Sequence, residues 1–153
     1  MTYSSMPSAS RVAGGGSGET ISGKPARNNL VFFGGITLLA CSAIWFIGAA
    51  MLFTSIQRLA ETNGTSEAAT ANAVLCYLIA SVVGIVAGVI AFRNASGRAK
   101  PVLRLGIAAA VLALIAIIVN LVVFSSVPPF GALALVASAV VLVGAFQMKS
   151  AVR

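Results

Sequence analysis

Four long apolar runs without a single charged side chain fill most of the sequence between Leu30 and Phe146, and they restrict the chain to folds that lipid can solvate. The runs are 30–53, 71–92, 105–124 and 130–146. A spanning helix needs roughly 20 apolar residues to cross about 30 Å of hydrocarbon, so the last run is close to the lower limit. For that run a re-entrant or interfacial segment is the alternative. A water-soluble reading fails on composition, since 59% of residues are hydrophobic and 8% charged, against about a quarter charged in soluble domains. The expected fold is an all-α integral membrane protein: four transmembrane helices in an antiparallel up-down bundle. It divides into a disordered, flexible cytoplasmic tail at 1–29, a transmembrane domain at 30–148 and a short cytoplasmic C-terminus at 149–153.

The basic residues predict the orientation. With four spans drawn, Arg11, Lys24, Arg27, Arg93, Arg98, Lys100, Arg104, Lys149 and Arg153 all fall on one side. The other side holds Arg58, accompanied by Glu61 and Glu67. Lys and Arg near helix ends are retained in the cytoplasm, which places both termini of this multi-pass protein there. Three or five spans would have scattered the same charges over both faces. The first run exceeds a secretory signal core and follows a long polar stretch, so it reads as a retained anchor.

That polar stretch, 1–29, is rich in Ser and Gly, includes Gly14-Gly15-Gly16-Ser17-Gly18, and has no periodic apolar pattern able to bury a core. Within it, Gly18-Glu19-Thr20-Ile21-Ser22-Gly23-Lys24-Pro25 nearly matches a phosphate-binding loop. Pro25 stands where that loop needs a Ser or Thr hydroxyl for magnesium, and the strand and helix that would present its amides are missing from the pattern. Nucleotide binding is therefore not expected.

Catalytic constellations are thin. The chain has no His, and its three carboxylates are Glu19, Glu61 and Glu67. A Ser or Cys nucleophile has no imidazole base, and no cofactor or metal site is expected: Cys41 and Cys76 lie in apolar runs without companion ligands, too far apart in depth for a disulfide. No ionisable residue sits inside a span, whereas ion or proton coupling usually requires one. Small multidrug exporters also have four short helices, but their working carboxylate in the first helix has no counterpart here. The amide well inside a span, Asn120, and the hydroxyls of Thr37, Ser42, Ser81 and Ser138 read as interhelical hydrogen-bond partners.

Small residues advertise close packing. The second span presents Ala80, Gly84 and Gly88 on one stripe, the third Gly106 and Ala110, the first Ala40, Ile44 and Gly48. These stripes are expected to meet inside the bundle, with a dimer seam through Gly84 and Gly88 as the alternative. Helix one is expected to run on through Arg58 and Glu61 until Asn63-Gly64 stops it, with Thr65 or Ser66 capping the next helix ahead of Glu67. Gly97 and Pro101 are expected to break the chain between the second and third spans. The charges Arg93, Arg98, Lys100 and Arg104 read as topogenic, and their dispersal without interleaved aromatics gives no nucleic-acid surface.

The stretch from Gly84 to Arg93, the basic turn to Gly97-Arg98 and Leu105-Gly106-Ile107-Ala108 together resemble a helical hairpin recurrent in small bacterial four-helix membrane domains of unknown function. The resemblance implies a bacterial plasma membrane and carries over no catalytic or ligand residues. The function expected is that of a non-enzymatic membrane protein working through protein contacts, as an accessory subunit of a membrane assembly or a small envelope or defence factor. Its partners would be the lipid bilayer and another membrane protein or a second copy, not nucleic acid, and the sequence identifies no small-molecule substrate. The rival is an oligomeric pore, transporter or phage-type permeabilising protein built by several copies around Asn120 and the helix hydroxyls.

Overall fold

A computed structural model of the chain describes residues 27–150. The near-match Gly18–Pro25, most of the expected tail and residues 151–153 lie outside the described residues. Within them the chain forms five helices: α1 (Asn29–Phe53), α2 (Ile56–Asn63), α3 (Glu67–Arg93), α4 (Ala99–Phe124) and α5 (Pro129–Ser150). Four of these, α1, α3, α4 and α5, are long and apolar enough to cross a membrane. Each apolar run lies inside one helix, but the helices extend beyond the runs. The shortest run sits in a helix of 22 residues, because α5 continues through Gln147, Met148 and Lys149.

The connections follow from local chemistry, with two corrections. Helix α1 stops at Phe53 instead of continuing to Gly64, and the break falls on Thr54 and Ser55. There the Thr54 hydroxyl donates to Met51 O at 2.7 Å and the Ser55 N–H donates to Leu52 O at 3.0 Å. Hydroxyl side chains that bond nearby carbonyls compete with the helical ladder, so no Gly or Pro is needed to end it. The chain restarts as α2, whose Ile56, Leu59 and Ala60 turn inward while Gln57, Arg58, Glu61 and Thr62 face out. Gly64, at φ 64°, then provides the expected stop, with the Thr65 N–H bonded to Ala60 O. Ser66 caps α3 by accepting from the Ala69 N–H at 3.2 Å, and Glu67 occupies the first turn. The second correction concerns Pro101, which lies within the first turn of α4. The N–H that proline lacks is one the helix start leaves unbonded anyway.

Helix α1 packs on α3 and α5, and α4 packs on the same two, closing a ring of four. At one end Asn28 joins three elements. Its side-chain oxygen accepts from the Val31 N–H at 3.1 Å, its amide donates to Gly144 O in α5 at 3.1 Å, and its own N–H donates to Ala95 O after α3 at 2.8 Å. Arg27 stacks over the Phe32 ring beside it. The expected tail boundary therefore moves back, since Asn28 and Asn29 belong to the folded part.

The interior is built from small residues. Ala73, Ala80, Ala87, Ala109, Ala116 and Ala134 are buried, with Ser42, Ser81 and Ser138 among them, while Phe33, Ile47, Met51, Ile118, Val122 and Val136 are exposed. Gly84 and Gly88 face α1. A Cβ on Gly84 would run into the Ser42 hydroxyl, and one on Gly88 would lie 2.8 Å from Leu39 N and 2.9 Å from Gly35 O. Their expected counterparts on α1 are corrected: Ala40 and Ile44 are exposed, and a Cβ on Gly48 would meet nothing within 4 Å. The buried face of α1 is Gly34, Gly35, Leu38, Ser42, Trp45 and Ala49. The reason is the Trp45 side chain, which inside the ring stacks on Tyr77 at 5.5 Å between centroids.

Candidate functional site

The end of the ring opposite Asn28 is less tightly filled. Helix α2, the last turns of α1 and α4, Tyr77 of α3, and the 126–128 connection with the start of α5 line a pocket of about 590 Å³, within the roughly 300–1,000 Å³ typical of ligand sites. Its walls are apolar and aromatic, with Trp45, Leu52, Phe124 and Phe130 prominent, and Asn63 and Ser126 supply polar atoms. No side chain among its walls carries a charge.

Two features distinguish this pocket. The hydroxyl of Tyr77, a residue that is 3% exposed, is buried without a hydrogen-bond partner. An unpaired buried hydroxyl costs about 1–3 kcal/mol. The other feature is Gly48. Gly34, Gly35, Gly84, Gly88, Gly106, Gly131 and Gly144 would each bring a Cβ against a neighbouring side chain or backbone, whereas a Cβ on Gly48 would meet nothing within 4 Å. Seven helical glycines are consumed by internal packing, and this one leaves room in a pocket wall.

The polar residues inside the runs are placed differently from expectation. The Thr37, Ser81 and Ser138 hydroxyls donate to Phe33 O, Leu78 O and Ala134 O within their own helices. Short hydroxyl side chains reach the preceding turn more easily than a neighbouring helix. Asn120 lines the pocket, but its amide donates to Ser126 O at 2.8 Å, tying the end of α4 to the connection that follows it. The polar side chain that does bridge two of the long helices is Asn28, which sequence reasoning assigned to the tail. Cys41 and Cys76 are both free thiols.

Trp45 and Tyr77 were not singled out from sequence. A signal existed, because each is the one ring with a polar group in its run and stands toward the less basic end, where amphipathic rings concentrate in membrane helices. Comparison with protein-family models, characterised proteins and solved structures finds no match for this chain. The functional reading therefore rests on the residues themselves.

Proposed function

We propose that this chain is a multi-pass protein of a bacterial plasma membrane, an antiparallel up-down bundle with both termini cytoplasmic, and that it acts without catalysis by receiving a partner membrane protein. Small residues inside and large aliphatic ones outside support the membrane setting. Lipid gives large side chains as good a solvent as a protein core, whereas close helix approach needs small ones. The alternating direction is supported by Asn28 bonding the end of α3 and the end of α5 from the start of α1. The basic residues of that end support its cytoplasmic placement.

The observation that carries the contact function is the open space at Gly48, in a pocket that Tyr77, with its unpartnered hydroxyl, also lines. An uncharged pocket walled by Trp and Tyr suits an apolar side chain projecting from another spanning segment, the geometry in which interface energy concentrates. The sequence offers no His or Asp for general acid–base work, which supports a binding role over an enzymatic one. The pore reading gains no comparable support, since Asn120 and most of the helix hydroxyls named for it are bonded within their own chain segments.

The test is a photocrosslinking side chain at Val127, which lines the pocket and is exposed. In native membranes it should trap a defined adduct, whether a distinct protein or a second copy. Gly48→Leu should abolish that adduct while leaving the thermal unfolding of the purified chain unchanged. An adduct that persists in Gly48→Leu, or no adduct at all, rejects the reading.

A further inference from the structure

A second cavity lies at the opposite, basic end of the bundle, and its walls share a chemistry that topology alone does not require. It encloses about 430 Å³ and is lined by Gly97, Arg98, Lys100, Pro101, Met148 and Lys149. Arg98 and Lys100 come from the start of α4, whereas Lys149 comes from the last turn of α5. All three are exposed. The two carboxylates among the described residues, Glu61 and Glu67, belong to α2 and the first turn of α3, at the other end.

We infer that this cavity binds the phosphodiester headgroup of an anionic glycerophospholipid in the cytoplasmic leaflet. The inference rests on the membrane reading above and is independent of the Gly48 pocket. Arg98 has the planar donor geometry to grip two phosphate oxygens, while Lys100 from α4 and Lys149 from α5 add point charges. Met148 and Pro101 offer apolar wall to the glycerol and upper acyl chain. Topogenic charges need only lie near helix ends. Arg93 and Arg104 meet that need without lining the cavity, whereas Arg98 and Lys100 at the start of α4 and Lys149, some fifty residues on at the end of α5, all line it. A zwitterionic headgroup brings its own ammonium into that field and is disfavoured. A net negative one is not.

The test uses the full chain purified in a non-ionic detergent, with lipid binding followed by native mass spectrometry and thermal unfolding. Phosphatidylglycerol should stay bound and raise the unfolding midpoint; phosphatidylcholine should do neither. The triple variant Arg98→Gln, Lys100→Gln, Lys149→Gln should bind phosphatidylglycerol on the order of 100-fold more weakly, at about 1 kcal/mol for each charge lost. The control Arg93→Gln, Arg104→Gln should retain at least most of the affinity. Equal losses in both variants would mean diffuse attraction and overturn the inference. So would equal binding of phosphatidylcholine, or the same stabilisation by inorganic phosphate at matched concentration, which would identify a soluble-anion site. A chain that stays monodisperse with no detergent overturns the membrane reading and this inference with it. Detergent dependence combined with no lipid preference overturns this inference alone.

Discussion

Gly84 and Gly88 are indistinguishable by type and spacing, yet what stands opposite each of them differs. Gly88 faces the backbone of α1, so a methyl group there can be housed only if the two helices separate. Gly84 faces the Ser42 side chain, which substitution can remove. Gly88→Ala should therefore cost about 1–3 kcal/mol, the usual range for overpacking, in reversible unfolding in detergent. Gly84→Ala should cost less, and Ser42→Ala added to it should restore much of the loss; no restoration would mean that the two residues do not limit each other. Tyr77 gives the opposite sign. Its hydroxyl is desolvated without compensation, so Tyr77→Phe, which keeps the ring against Trp45, should raise the unfolding midpoint of the isolated chain. A lowered midpoint would show that the hydroxyl has a partner.

Helix ends make clear which parts of this structure hydropathy can and cannot reveal. The four apolar runs were legible because lipid solvation demands an unbroken apolar stretch, and each lies inside a helix. The start of α3 was legible as well, from the Ser66 cap ahead of Glu67, but that of α4 on Ala99 was not, since residues beyond an apolar run are under no demand to be apolar. The separate α2 was hidden because α1 ends on the Thr54 hydroxyl bond and the Ser55 N–H bond instead of a glycine or proline. The buried face of α1 was hidden because it carries two rows of small residues, and only the bulk of Trp45 decides between them. The pocket was invisible because it depends on how four segments meet. Asn28 was misplaced for a related reason: a polar residue before an apolar run looks like tail until its three bonds are seen. Asn28→Ala should lose the cap, about 1 kcal/mol, together with the bond to Gly144 O, for which membrane helices average about 0.6 kcal/mol. Asn28→Ser should recover the first part only, since its oxygen can accept from the Val31 N–H but it has no amide to reach α5. Equal destabilisation by both variants would mean that the cap contributes nothing.

At the scale of the whole molecule the basic residues and the helix ring make one joint prediction about sidedness. Ser55 lies exposed at the break between α1 and α2, and Ser96 lies exposed in the turn after α3, so α3 is the long helix between them. In a background with Cys41→Ala and Cys76→Ala, Ser55→Cys should react with an impermeant maleimide applied to intact cells. Ser96→Cys should react only once the membrane is opened. The two sites test separate premises. Labelling of both from one side would mean that α3 does not cross the bilayer, which ends the four-span reading whatever the orientation. Labelling on opposite sides but with the order reversed would keep the spans and reject the charge rule. That reversal would set Arg93, Arg98, Lys100, Arg104 and Lys149 outside, with Arg58 the remaining described cation near a span end inside once Arg27 goes with the first group. Moving so many charges across a membrane whose potential is negative inside is the arrangement the positive-inside preference opposes most strongly, and for that reason the labelling order is expected to be Ser55 from outside and Ser96 from within.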